Sequence, residues 1–255
     1  MIKRIKPDAM KSKRKNSLKV VLLVFWVFGY TAVSGQELTF KEIEKNEEIK
    51  AYFEMGDKFL VARHITRHCI DHAMIVAGKA GDILQQLGFD EREGELARIT
   101  GYMHDIGNVV NRNFHDLVGA SIAHQILSRM NMDPFEIAEV MGGIGNHDEL
   151  SGEPVSNVSA AVILADKSDV RRSRVRNTDK NSFDIHDRVN YAVINSHLDV
   201  NPKNRTVRLD ITTDFETISI IEYFEIFLDR MLMCRKAAVF LNATFELIIN
   251  GTKLL

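Results

Sequence analysis

Residues 101–108 read Gly-Tyr-Met-His-Asp-Ile-Gly-Asn, and this stretch gives the most direct indication of a fold. Apolar residues at helical spacing predict a helix from Glu91 to about Ile106 that buries one face. His104 and Asp105 then lie at the end of a buried helix. Because an imidazole and a carboxylate both lose hydration there, the pair needs a compensating partner.

Histidines recur on both sides of this dyad. Upstream, a spacing of four predicts that three of them share one face of a helix over residues 64–87: His64, His68 and His72. Downstream, three more candidates stand at the edges of predicted helices: His115, His147 and Asp166. A helical bundle can aim such residues at one interior point, and imidazole with carboxylate suits Mn, Fe, Co or Zn. A later dyad, His186-Asp187, is interpreted as a helix cap and salt-bridge region.

The remaining pattern predicts a mainly α protein with a small α+β element at its C-terminal end. A capping box at Thr39 and Glu42 opens a helix through about Phe59, and further helices are expected near 115–130, 134–145 and 156–172. After about residue 190 we expect a β-hairpin of strands 197–200 and 206–212, a helix over 218–241 and a strand over 245–249. The predicted boundaries are 1–37 for an N-terminal segment, 38–185 for the helical domain and 186–255 for the C-terminal element.

The order of a single histidine, a His-Asp dyad, further histidines and a late aspartate resembles the HD-domain superfamily of metal-dependent phosphohydrolases. His72, in His-Ala-Met-Ile-Val-Ala, lies 32 residues before the dyad, where that family has its first histidine. Ala165-Asp166 resembles the family's closing aspartate. The resemblance covers about residues 60–176 and implies an HD-type helical bundle.

Within the superfamily, His115 with Gly119, then His147, then Ala-Asp-Lys at 165–167 is similar to bacterial enzymes that split dinucleoside tetraphosphates symmetrically. It is more distantly similar to the cyclic-di-GMP phosphodiesterases with an HD-GYP motif. Asn146 stands where that second branch has a histidine, and Ser-Gly-Glu-Pro at 151–154 is not a GYP motif. A cyclic-di-GMP activity is therefore not expected.

The resemblance implies a binuclear metal centre with a defined set of ligands: His72, His104, Asp105, His115, His147 and Asp166. Asp105 would bridge two ions, with Fe or Mn expected and Mg, Co or Zn as alternatives. One ion would lower the pKa of a bridging water, and both would offset charge on a phosphoryl group. Besides Asp105, His68 and Lys167 are expected to take part in catalysis.

Substrate contacts are expected from three residues: Asn108, Arg171 and Arg172. Asn108 stands where many relatives have lysine, which removes one cation that could meet a phosphate. Arg171 and Arg172 follow Asp166 closely, and a guanidinium matches phosphate oxygens in bidentate fashion. A solvated charged face is an equally good interpretation of this arginine run.

Composition and charge exclude several classes of protein. The 255 residues are 45% hydrophobic and 27% charged, as in ordinary globular proteins, and Cys69 and Cys234 alone cannot build a disulfide framework or a four-thiolate zinc site. A net charge of −2 conceals +7 in residues 1–19 and −9 in the remainder. An acidic body argues against duplex nucleic acid as a partner.

An apolar run of 14 residues, 20–33, follows the basic stretch. It has the length of a signal-peptide core or short anchor, and the other interpretation is a start codon assigned too early. We expect a cytoplasmic protein, with export or membrane anchoring as the alternative, and membrane contact only through residues 20–33. The sequence leaves open whether the protein forms a homodimer.

The sequence thus predicts metal-dependent hydrolysis of a phosphate ester or phosphoanhydride in a nucleotide or small phosphorylated metabolite. Two alternatives stay open. A di-iron centre of the same ligands would oxidise a substrate with oxygen, and a metal-stabilised sensor or interaction module would catalyse nothing.

Overall fold

Capping residues set the starts of the first helices. The computed structural model describes residues 35–63, 65–214 and 216–255. Helix α1 (Phe40–Glu44) begins with the predicted capping box of Thr39 and Glu42. The helix predicted to continue through Phe59 is instead broken after α1, because the Asn46 side chain accepts hydrogen bonds from two amides and starts α2 (Glu47–Ala62).

Helices α3 (Ile70–Gln86) and α4 (Glu91–Met103) pack against each other along much of their lengths. The prediction that α3 begins at residue 64 is wrong, so His68 shares no helical face with His72. Before α3, the Arg67 amide donates to the Arg174 carbonyl at 2.9 Å rather than to a helical partner. Helix α4 ends at Met103, earlier than predicted, and a 3-10 turn over Ile106–Val109 follows.

Three more helices complete the bundle close to their predicted positions. They are α5 (His115–Arg129), α6 (Pro134–Gly145) and α7 (Asn157–Lys167). Helix α7 is buried on all sides from residue 158 to residue 167, which matches its continuous apolar sequence. It ends at Lys167 rather than near residue 172, so the arginines that follow lie on irregular backbone and short 3-10 turns.

The C-terminal part contains a four-stranded sheet with the strand order β1-β2-β3-β4. An unpredicted helix, α8 (Ile185–Ala192), leads into the antiparallel hairpin of β1 (Val193–Asn201) and β2 (Thr206–Thr213). Helix α9 (Ile220–Phe240) then connects β2 to the parallel strand β3 (Thr244–Ile249), and an unpredicted short strand, β4 (Thr252–Lys253), pairs with β3.

Helix α9 packs on both α7 and β3, and this contact joins the C-terminal part to the helical bundle. The buried apolar side chains form one core cluster that extends from Leu38 to Ile249. Burial of this apolar surface is the main favourable contribution to folding. Because α7 carries Asp166 at its end, the same contact brings α9 close to the candidate site.

The predicted N-terminal segment lies almost entirely outside the described residues, which begin at residue 35. The apolar run over 20–33 is part of that segment. None of the helices in the described ranges combines the length and the apolar character needed to cross a bilayer.

Candidate metal centre

Imidazole and carboxylate side chains from the ends of five helices and from the loop before α3 meet inside the bundle. All of them are buried: His68, His72, His104, Asp105, His115, His147 and Asp166. His72 lies in the first turn of α3, His104 caps the end of α4, and His115 is the first residue of α5. His147 follows α6, and Asp166 lies in the last turn of α7. The structure therefore brings together all six predicted metal ligands.

Three of the histidines are oriented by backbone carbonyls. The Nδ1 atoms of His104, His115 and His147 lie 2.7, 2.9 and 2.6 Å from the carbonyl oxygens of Gly101, Arg112 and Ile144. A carbonyl only accepts, so each Nδ1 carries the hydrogen. In the neutral ring, the Nε2 atom then carries a free lone pair. This arrangement is typical of metal-binding histidines.

His72 is held in the same way by a carboxylate. Its Nδ1 donates to Oδ2 of Asp169 at 2.7 Å, which leaves a free lone pair on Nε2. The Nε2 atoms of His72 and His104 are buried and have no hydrogen-bond partner. Because an unsatisfied buried polar atom is costly, these two atoms mark a place that fits a cation.

One side of the cluster forms around the Asp166 carboxylate. His72 Nε2 lies 3.2 Å from Asp166 Oδ1 and 3.7 Å from Asp105 Oδ2. His104 Nε2 lies 3.3 Å from the same oxygen of Asp105 and 3.7 Å from Asp166 Oδ1. Two imidazole nitrogens and two carboxylate oxygens thus surround a single point.

The other side forms around the second oxygen of Asp105. His115 Nε2 lies 3.3 Å from Asp105 Oδ1 and 3.1 Å from His147 Nε2. Since both rings carry their hydrogens on Nδ1, two lone pairs face each other at this short distance. A cation between or beside them removes the repulsion, so this side also fits a metal ion.

The donor set fits a hard-to-borderline divalent ion. Three groups of ligand atoms are close enough to hold an ion together: His68 with His72 and Asp105, His72 with His104 and Asp166, and His104 with Asp105 and His147. The set mixes nitrogen and oxygen donors and contains no thiolate, which suits Mn, Fe, Co or Zn rather than a soft ion.

The electrostatics of the cluster favour a cation. Burial opposes ionisation of Asp105, but His68 and His104 outweigh it and hold the pKa of Asp105 well below its usual range. For Asp166 burial is likewise outweighed, here mainly by the Lys167 charge, and its pKa is also lowered. Both groups are therefore carboxylates near neutral pH.

The histidine pKa values complete this electrostatic picture. Burial lowers the pKa of His147 well below its usual value, so the ring is neutral and able to ligate. At His104 burial is outweighed by Asp105 and Asp166, and the pKa is raised. The field that attracts a proton to His104 would equally attract a metal ion.

Asp105 is fixed by three donors. His68 Nδ1 lies 2.7 Å from Oδ2, while Asn108 Nδ2 and Arg112 Nη1 lie 2.8 and 3.1 Å from Oδ1. Asn108 and His68 were singled out in the sequence as a substrate contact and a catalytic residue. In the structure both contact the carboxylate directly, and His68 also lines a neighbouring cavity.

The predicted basic residues occupy different places. Lys167 is buried and binds Asp166 Oδ2 at 2.6 Å and Glu149 Oε2 at 2.7 Å. Arg171 binds Asp169, the carboxylate that orients His72. Arg172 instead donates to the Tyr191 carbonyl and lies over the Tyr191 ring at 4.4 Å, so the structure does not bring it to the cluster.

Five residues of the site carry no sequence signal strong enough to find them: Arg112, Glu149, Asp169, Arg174 and Arg230. Asp169 follows Asp166 by three residues, which is the one spacing that could have suggested it. The guanidinium of Arg174 is buried beside His68 and donates to the Asp169 carbonyl. Arg230 pairs with Glu149 across 81 residues, a contact that only the tertiary fold creates.

Replacing Asp169 with alanine is expected to weaken metal binding by about 10- to 100-fold, because His72 loses the partner that fixes its ring and its tautomer. In Asp169→Asn the amide oxygen still accepts a hydrogen bond from His72 Nδ1, so this variant should lose less metal affinity than Asp169→Ala. Competition with a chromogenic chelator measures the affinity. Asp82→Ala, which removes an exposed carboxylate paired with Arg98, is the matched control. Equal affinities for Asp169→Ala and wild type would refute this role.

Comparison with known proteins agrees with this geometry. The family model described as HD domain matches residues 69–171, a range that holds all six predicted ligands. This part of the sequence is thus similar to HD domains. An uncharacterized protein of Methanocaldococcus jannaschii is 28% identical over 174 residues, with 59% of this chain and 66% of that relative covered.

Proposed function

We propose that the protein is a metal-dependent phosphohydrolase that acts with two divalent ions on a nucleotide or another small phosphorylated metabolite. The observation that carries this proposal is the position of Asp105. Its Oδ2 faces the unpartnered nitrogens of His72 and His104, and its Oδ1 faces His115. A carboxylate with a different group of imidazoles at each oxygen suits a bridging ligand.

The ligands divide into two groups that share Asp105. His72, His104 and Asp166 would hold one ion, and His115 and His147 would hold the other. When bound, such ions lower the pKa of a water molecule and offset the negative charge of a phosphoryl group. The similarity to the enzymes that split dinucleoside tetraphosphates symmetrically supports two ions rather than one.

The other residues orient the ligands. Arg112 and Asn108 fix Oδ1 of Asp105, while Lys167 fixes Asp166. Burial and the Arg112 charge hold the pKa of His68 well below its usual value, so this ring is neutral. With its Nδ1 hydrogen donated to Asp105, Nε2 is the atom of His68 that is able to accept a proton from the cavity side.

The proposed reaction has a direct test. Protein loaded with Mn or Fe is incubated with nucleoside mono- and triphosphates, dinucleoside tetraphosphates and sugar phosphates, and released phosphate or nucleotide is measured. We expect turnover of at least one class, and loss of that turnover after chelation and in His104→Ala. Full metal loading without hydrolysis of any of these substrates would overturn the proposal.

The same assay separates the oxygenase alternative. Iron is within the range of ions that the donor set suits, so oxygen uptake is recorded in parallel with the iron-loaded protein. We expect phosphate release without oxygen consumption. Oxygen consumption without phosphate release would show that the site catalyses oxidation rather than hydrolysis.

A further inference from the structure

A cavity of about 300 Å³ opens beside Asp105, on the side of His68 and Arg112. Both residues contact the Asp105 carboxylate, so a molecule in this cavity lies next to the candidate metal centre. The remaining wall comes from the end of α2 with the following loop, from α8 and from Arg230 of α9. Helices α8 and α9 lie outside the HD match at 69–171.

Three guanidinium groups line this cavity: Arg63, Arg112 and Arg230. Each carries five N–H donors, of which only part is used within the protein. Arg63 donates to the Asn111 side chain and forms no ion pair with any acidic side chain in the described ranges. Arg230 uses Nε to bind Glu149 at 2.8 Å and keeps its terminal nitrogens for another partner.

The two carboxylates of the same wall each accept a hydrogen bond from a donor within residues 177–187. Asp184 accepts from the Asp187 amide at the start of the helix, and Asp187 accepts from the Asn177 side chain. Thus the acidic groups have partners within their own segment, whereas the arginines have donors left over. The unused N–H donors of the arginines are the groups on this wall that suit an anion.

Arg230 is the most firmly positioned of the three arginines. Its guanidinium carbon lies 4.9 Å from the centre of the Phe227 ring, one turn earlier on α9. Glu149 holds Arg230 on one side and Lys167 on the other, and Lys167 binds Asp166. A charged chain therefore connects the cavity wall to the metal centre.

We infer that Arg230 is a substrate-binding residue, contributed from outside the HD domain, whose guanidinium holds phosphate oxygens in this cavity. The inference rests on the proposed phosphohydrolase function and deepens it, since it assigns the phosphate-binding wall to the C-terminal helix. A guanidinium pairs with phosphate in bidentate fashion, which gives direction as well as affinity. The C-terminal element would then determine which phosphorylated compounds enter.

The test is calorimetric titration of inorganic phosphate and pyrophosphate into the Mn-loaded protein. Hydrogen bonds between charged groups are among the strong ones, so Arg230→Gln is expected to weaken binding at least about tenfold. Arg230→Lys keeps the charge and the Glu149 partner but loses the paired N–H donors of the guanidinium. Its phosphate affinity should lie between those of the wild-type protein and Arg230→Gln. Arg208→Gln, at an exposed arginine paired with Glu246, is the matched control and should bind as wild type.

Three readouts separate substrate binding from a structural role. Metal content should be unchanged in Arg230→Gln, KM for a hydrolysed substrate should rise more than kcat falls, and added guanidinium should restore part of the binding. Loss of metal in both Arg230 variants, or phosphate binding equal to wild type, would overturn the inference. Failure of the proposed hydrolysis shows itself differently, as absence of turnover in the wild-type protein.

Discussion

Replacing Asp105 with asparagine is expected to remove most of the bound metal and to lower hydrolysis by about 10³-fold or more. The variant keeps the shape of the side chain but removes the charge that faces imidazole nitrogens at both oxygens. Metal ions contribute several kcal/mol to phosphoryl-transfer catalysis, and about 1.4 kcal/mol corresponds to a factor of ten. In the proposed two-ion arrangement Asp105 is shared, so its loss is expected to affect both ions together.

The matched control comes from the neighbouring dyad. Asp116 is equally buried, follows His115 directly and accepts a hydrogen bond from Ser151, but it contacts none of the ligating nitrogens. Asp116→Asn should therefore keep its metal. The metal content of the two variants and of the wild-type protein is measured by elemental analysis after loading with Mn or Fe. Full metal content in Asp105→Asn would contradict the central role of this carboxylate.

Replacing Gly107 with alanine is expected to destabilise the fold by about 3 kcal/mol, at the upper end of the range for overpacked cores. A Cβ atom at this position would lie 2.0 Å from the His115 carbonyl oxygen and 2.7 Å from the Gly119 amide nitrogen. These are backbone atoms, so no side-chain rotation relieves the contact. Helix α5 must move away, and His115 moves with it.

Urea unfolding followed by circular dichroism measures the loss of stability. Gly78→Ala is the matched control, because its added Cβ would meet no heavy atom within 4 Å beyond its chain neighbours and its own helix backbone, and alanine is favoured over glycine inside a helix. This variant should gain up to about 1 kcal/mol. We also expect Gly107→Ala to bind less metal than wild type, through displacement of His115. Unchanged stability of Gly107→Ala would show that α5 adapts without cost.

The cavity shows how the two parts of the chain depend on each other. The HD match ends at residue 171, yet Arg230 of α9 and the three cavity residues of α8 lie beyond it: Asp184, His186 and Asp187. The sequence pattern assigns His186-Asp187 to a cap and salt-bridge region, and its cavity position is visible only in three dimensions. Differences in α8 and α9 between HD proteins are therefore expected to change the substrate without changing the metal ligands.

Local patterns in the sequence were sufficient to predict the bundle and its candidate ligands. Apolar residues at helical spacing defined α4 through α7, and their ends placed His104, His115, His147 and Asp166 near one another. This was possible because helix periodicity and helix termination are local properties that a linear pattern records. Hairpin β1-β2 and helix α9 were predictable for the same reason.

The surroundings of these candidate ligands depend on tertiary contacts that local patterns do not record. The sequence spacing wrongly placed His68 on a helix with His72, whereas the pairing of Arg67 with Arg174 holds His68 in a loop against Asp105. Asp169 orients His72 across 97 residues, and Arg230 reaches Glu149 across 81. Such contacts depend on how distant segments pack, and no local pattern encodes them. The candidate ligands were predictable from the sequence, while their orientation and the neighbouring cavity depend on the fold.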